Sequence, residues 1–221
     1  MPTVRPRTIE HKTGGITVSP VTTQQTESGA AAYADPGGFR QRLLDGLAAA
    51  IEANGYRTTT VADVVRAART SRRTFYEHFD SKEACFVALL TDANRDMIRE
   101  ISAAVDQSAR WPVQVRQAVA AWIACTESRP AITLSWIRDV PSLGTAAREL
   151  QRDVMAALVT MIQTLCDTEE WRSVRTEPVS DQLALMLLGG LRELSATTVE
   201  NGHRVGEMTE VAVRAAIALL G

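Results

Sequence analysis

The chain has 221 residues, 23% of them charged and 5% aromatic, and its formal net charge is −2. That length holds one medium domain beside a smaller one, and so neutral a balance does not itself point to nucleic acid, so the distribution of charge matters more than its total. Cys85, Cys125 and Cys166 lie about forty residues apart with no C-x-x-C pair and no adjacent His, which excludes a zinc site or a disulfide framework and fits a reducing cytoplasm.

No uncharged apolar run reaches the length of a membrane span, and the N-terminus lacks the apolar core of a signal peptide despite Arg5 and Arg7. A soluble, cytoplasmic protein without a membrane partner is expected. Neither H-E-x-x-H, G-x-S-x-G, a P-loop nor G-x-G-x-x-G occurs, and the three histidines, His11, His78 and His203, are scattered. The chain is therefore read as a non-enzyme without metal or cofactor. Abundant Ala and Leu with little strand-like alternation predict an all-α fold.

Residues 1–37 are rich in Thr, Ser, Gly, Pro and Gln and are expected to form a disordered arm. Arg5, Arg7 and Lys12 would either touch a DNA groove or belong to a solvated tail. The first helix is predicted over residues 38–54, where Leu43, Leu44, Leu47 and Ile51 recur at helical spacing before an Asn54-Gly55 stop. Thr60 can cap a second helix carrying Val61, Val64, Val65 and Ala68 on one face.

Two residues later Ser71 can cap a third helix. In it Phe75 and Phe79 point inward, Arg73 and Tyr76 face out, and Arg72, Thr74 and His78 lie on the flanks. Arg forks match guanine edges, while hydroxyl, imidazole and ammonium groups suit phosphate oxygens. Two short helices joined by so tight a turn make a helix-turn-helix. Charge supports the assignment. Residues 40–82 hold eight Lys or Arg against five Asp or Glu, residues 83–221 thirteen against eighteen, and residues 1–39 three against three. A locally basic head on an acidic body suits a protein that touches DNA with one end. A fourth helix, opening at Ser81, leaves the head for the body.

The run from Gly55 to Ala84, with Gly55-Tyr56, Thr59-Thr60-Val61, Thr74-Phe75-Tyr76, His78-Phe79 and Ser81-Lys82, closely resembles the N-terminal domain of tetracycline-repressor-like (TetR family) transcription regulators. The resemblance extends from Arg40 to Ala84. It implies a three-helix DNA-binding head over residues 38–82 and a helical effector-binding and dimerisation domain over residues 83–221. It places Arg72 and Arg73 at base-reading positions behind the Ser71 cap, and Thr60, Thr74, Tyr76, His78 and Lys82 at phosphate-facing ones. One residue departs from the family pattern: Arg69 stands where Gly is usual. If the turn needs positive φ there, Arg costs roughly 1 kcal/mol. That departure keeps open a second reading, a helical ligand-binding or scaffold protein that has lost specific DNA binding.

In the body, helices are predicted from Trp111-Pro112 to near Arg129, around Ile132–Ile137, and through Leu150–Leu165. Two more are predicted, over residues 179–201 and 207–220. The loop containing Trp171 has no readable fold. Trp122, Cys125, Trp136, Met155, Met161 and Met186 lie on or beside apolar faces and are candidates to line an effector pocket, which the resemblance implies. Asp139, Arg138, Glu127 and Arg152 are candidate polar anchors. By the same resemblance the last two helices pair with their copies in a homodimer, with Leu187, Gly190, Leu191, Leu194, Met208, Val211, Ala212, Ala215 and Leu219 as interface candidates. The implied protein is a repressor that binds a palindromic operator in double-stranded DNA and is released by a small-molecule effector.

Overall fold

A computed structural model describes residues 36–174 and 177–221. The arm expected over residues 1–37, with Arg5, Arg7 and Lys12, lies almost wholly outside the described residues. Those residues form ten α-helices and two short 3₁₀ turns, and no strand occurs among them.

The head is built by local caps. Helix α1 (Pro36–Asn54) ends at Gly55, whose φ of +76° is a conformation that only a residue without Cβ adopts freely. Thr60 caps α2 (Val61–Ala67) through a reciprocal box: Asp63 N–H donates to the Thr60 hydroxyl, and the Thr60 N–H donates to the Asp63 carboxylate at 2.9 Å. Ser71 caps α3 (Arg72–His78) by accepting the Thr74 N–H at 3.0 Å. Ser81 does the same for α4 (Lys82–Ala104) through Ala84. Gly46 lets α1 and α2 touch, since a Cβ there would lie 2.8 Å from the Val64 carbonyl oxygen and 2.9 Å from Ala68. Phe75 and Phe86 are fully buried among Leu43, Leu47, Ile51 and Val64, which fixes α3 on α1 and α4.

The turn between α2 and α3 is closed at Arg69, with φ +51°. Its N–H bonds the Arg66 carbonyl at 3.3 Å and the Thr70 N–H bonds the Val65 carbonyl at 2.9 Å. That pair of bonds is the Schellman ending, which normally has Gly at this left-handed residue. The turn of the glycine-bearing pattern is thus retained, with an arginine bearing the strain.

Helix α4 opens at Lys82, where the expected head ends, and runs into the body beside α5 (Trp111–Ser128) and α7 (Thr145–Leu165). Between these come α6 (Pro130–Arg138) and a 3₁₀ turn at Val140–Ser142. The segment around Trp171 is a short helix, α8 (Glu169–Val174), that periodicity did not disclose. Thr168 starts it by accepting the Trp171 N–H, and Trp171 is buried. Helices α9 (Asp181–Glu200) and α10 (Thr209–Leu220) complete the body. No helix among the described residues is long and apolar enough to cross a membrane.

Candidate nucleic-acid interface and cavity

Helix α3 offers solvent its outer face. Arg72, Arg73 and Tyr76 are exposed, with Tyr76 at 57% although it packs edge-on to Phe75. Arg73 Nε donates to Glu77 at 3.0 Å, an exposed pair one helical turn apart and worth well under about 1 kcal/mol. It is cheaply given up to another partner. Thr74 and His78 are half-buried on the flanks, and Ser71 and Thr74 hydroxyls lie 3.0 Å apart.

Two residues read as phosphate-facing are already engaged inside the head. The Lys82 ammonium donates to the carbonyls of Tyr56 (3.0 Å) and Thr59 (2.9 Å) and lies 4.2 Å from the centre of the Tyr56 ring. Two of its three N–H donors therefore clamp the α1–α2 loop onto α4, and one remains for a phosphate. The Thr60 hydroxyl donates to Asp63, and these hydrogen bonds hold the Asp63 carboxyl below its usual range, with Arg66 nearby adding to the effect.

Two cavities of the body bear on ligand binding. The first, ≈ 70 Å³, is almost wholly apolar and lies between α4, α5, α7 and α9, with Trp111, Met161 and Trp171 in its wall. The second, ≈ 230 Å³, is bounded by α4, α5, α6 and α9 and mixes apolar and polar walls. Trp122 lines both. Of the six candidate pocket residues, Trp122, Cys125 and Trp136 line the larger cavity and Trp122 and Met161 the smaller. Met155 lines neither, although its sulfur lies 3.6 Å from Arg192 Nη1. Met186 is 64% exposed on the outside of α9, so its place in the pocket is corrected.

The polar anchors also differ from expectation. Asp139 bonds Arg57 of the head, Arg138 bonds Glu193 and Glu200, and Glu127 bonds Arg204. Arg152 lines neither cavity. The polar groups on the larger cavity's wall include Asn94, Glu100, Thr126 and Arg192 instead. Arg192 follows Leu187, Leu188 and Leu191 on α9, and a charge set within so apolar a run was the available signal.

The interface candidates divide between two faces. Leu187, Leu191, Met208 and Ala212 are buried in the protomer's own core, which corrects their assignment to an outer surface, and Leu194 and Leu219 are half-buried. Gly190, Val211 and Ala215 are exposed, and with Leu185, Met186 and Gly189 they make a smooth apolar strip along α9 and α10. A Cβ added at Gly189 or Gly190 would meet nothing within 4 Å.

Burial holds all three thiols protonated, pushing Cys85 up to about 12 and Cys166 to about 11, with the Glu100 carboxylate helping to raise Cys125 to about 11. Thiols so far from ionisation are poor redox sensors.

Residues 43–89, which contain α2, α3 and the turn at Arg69, match the family model for bacterial regulatory proteins of the tetR family. The chain carries a tetR-family head. No curated protein matches the chain. Solved structures agree with the tetR-family architecture along most of its length. The fatty acid degradation regulator FadR of Bacillus halodurans superposes with a TM-score of 0.70 at 15% identity, covering 83% of this chain and 95% of its own. FadR of Bacillus subtilis, solved with stearoyl-CoA, gives 0.68 at 14% identity over 79% and 95%. A tetR-family regulator of Streptomyces coelicolor gives 0.69 at 16% identity over 83% and 80%. At these identities the likeness is one of fold: a tetR-family head continued into a tetR-type helical body.

Proposed function

We propose that this protein is a homodimeric transcriptional repressor that binds an inverted-repeat operator through residues 38–82 and is released when a small molecule enters the body formed by residues 83–221. The observation that carries this reading is the outer face of α3. Arg72, Arg73 and Tyr76 stand free of the core on a helix whose start is fixed by Ser71 and whose back is anchored by Phe75. Of these, Arg72 and Arg73 reach base edges in a major groove, while Tyr76, with the flanking Ser71, Thr74 and His78 and the remaining Lys82 donor, meets phosphates.

Dimerisation supplies the spacing that one short helix lacks. Two copies related by a two-fold axis set their recognition helices about 34 Å apart, on successive turns of one DNA face. The exposed strip on α9 and α10 is the surface we assign to that contact. Release follows if the effector binds better to a conformation in which the two helices no longer match the groove spacing; DNA and effector then weaken each other by the same factor. The stearoyl-CoA held by the Bacillus subtilis neighbour is consistent with a body of this fold receiving a ligand. The alternative of a helical protein that has lost specific DNA binding rests on Arg69; the left-handed turn there, with both Schellman bonds in place, supports the DNA-binding reading.

The test is footprinting on DNA flanking the protein's own gene, followed by gel-shift titration at fixed salt against scrambled DNA. The expected outcome is a protected inverted repeat. Arg73→Ala should cost about 1–3 kcal/mol and relax the preference at one base position. Equal and weak binding to both DNAs would sink the proposal.

A further inference from the structure

The larger cavity contains an unusual arginine. Arg192 follows Leu191 on α9, and its guanidinium carbon lies 5.9 Å from the centre of the Trp136 ring. No ion pair reaches it among the described residues. Glu193, the adjacent carboxylate, is turned to Arg138, whose two terminal nitrogens each bond it at 2.8 Å. What Arg192 has instead is the Met155 sulfur, a weak acceptor, on Nη1. Its Nε is buried without a hydrogen-bond partner. Burial accordingly lowers its affinity for a proton. Glu193 acts on it through space without a hydrogen bond, and a half-buried charge is normally paired directly.

A second orphan donor belongs to Trp122, which lines both cavities. Its Nε1 is buried and unpartnered. Three other polar groups of the wall are engaged within the protein. Asn94 donates to the Leu90 carbonyl, Thr126 to the Trp122 carbonyl, and the Glu100 carboxylate accepts from Cys125 at 3.2 Å. The cavity wall thus has unmatched N–H donors and no buried unmatched side-chain acceptor. Asp96, Ser128, Arg129 and Thr133 also line it, beside the apolar surfaces of Trp122, Trp136, Met97 and Ile132.

We infer that this cavity receives an organic anion with an apolar body, its acidic group seated on Arg192 and its body against Trp122 and Trp136. The assignment rests on the reading of the body as an effector domain and adds the effector's chemical class. A carboxylate or phosphate supplies the hydrogen-bonded counter-charge that Glu193, bonded to Arg138, does not provide. A neutral or cationic ligand of the same shape would leave the guanidinium without one.

Titration calorimetry without DNA tests this with matched probes: octanoate, octanol and octylamine, and benzoate, benzyl alcohol and benzylamine. The acid of at least one series should bind ten-fold or more tighter than its alcohol and quench tryptophan fluorescence. Arg192→Met, which keeps the length and apolar volume, should abolish that preference, while Arg192→Lys keeps part of it; melting curves establish that both variants fold. Alcohols or amines binding as tightly as acids, no acid binding at all, or an unaltered preference in a folded Arg192→Met overturns the inference. Operator binding is measured separately. An acid that binds through Arg192 without moving the operator affinity would sink effector release and leave the site intact, whereas failure of the acids leaves DNA binding untouched.

Discussion

Nε of Arg57, in the loop after α1, lies 2.7 Å from Oδ1 of Asp139, the residue that ends α6. The two partners are unequal: the arginine side chain is 76% exposed and the aspartate 12%. Next to Asp139, Arg138 takes both Glu193 and Glu200 of α9, so adjacent residues of α6 hold the head on one side and α9 on the other. The wall of the larger cavity includes Trp136 of α6 and Arg192 of α9, so α6 touches both that cavity and the head.

The asymmetry of this pair predicts an asymmetric mutant cycle. Arg57→Ala leaves the buried Asp139 carboxylate without its donor and should cost about 1 kcal/mol, after discounting for the exposed arginine. Asp139→Asn strands only a solvated guanidinium and should cost less. Adding Asp139→Asn to Arg57→Ala should recover part of the loss in denaturant titrations. Strictly additive losses would mean that the contact contributes nothing to holding the head.

Arg69 offers a gain of stability. Its φ of +51° is tolerated by arginine at a cost of roughly 1 kcal/mol and by glycine freely, while both Schellman bonds are backbone bonds that any residue keeps. Arg69→Gly should therefore raise the unfolding free energy by up to about 1 kcal/mol, less what glycine returns to the unfolded chain. Arg69→Val, β-branched in the same conformation, should lower it. If the glycine variant unfolds at lower denaturant than the parent, the arginine side chain contributes a contact that outweighs the strain.

The head was legible in the sequence because its signals are local. Thr60, Ser71 and Ser81 each accept a backbone N–H three residues on, and Phe75 and Phe79 are buried as their spacing requires. The body was less so. Helix α8 is too short for a period, and its cap at Thr168 is its one local sign. On α9 and α10 both faces are apolar, so periodicity could not decide that Leu187 and Leu191 face the protomer's core while Met186 and Gly190 face out. Arg192 and the engagement of Lys82 with the Tyr56 and Thr59 carbonyls depend on segments distant in sequence, which spacing cannot bring together.

Acid should loosen the α6–α9 junction. Hydrogen bonds from Arg138 hold the Glu193 and Glu200 carboxyls below the usual 4.5. Groups whose pKa falls on folding stabilise the fold above their unfolded value and lose that contribution as pH drops through the folded one. Melting temperature should thus decline below pH 4.5, and Arg138→Gln should start lower but decline less steeply over that window. Parallel curves for the two proteins would show that the junction does not couple to folding.

The sharpest test of the dimer concerns Gly189 and Gly190. Each glycine in a helix interior costs up to about 1 kcal/mol relative to alanine, and neither is needed within the protomer, where an added Cβ meets nothing within 4 Å. A lone protomer would therefore be stabilised by alanine at both sites. If the glycines instead let a partner helix approach closely, added side chains hold the two copies apart. Gly189→Ala with Gly190→Ala should lower dimer affinity in sedimentation equilibrium, and a bulkier Gly190→Leu should leave a folded monomer that binds operator DNA far more weakly. The exposed Met186 and Val211, at 64% and 47%, flank the same strip, so Met186→Glu should act in the same direction. A parent protein that sediments as a monomer, or a Gly190→Leu variant that still dimerises, would move the interface off this face.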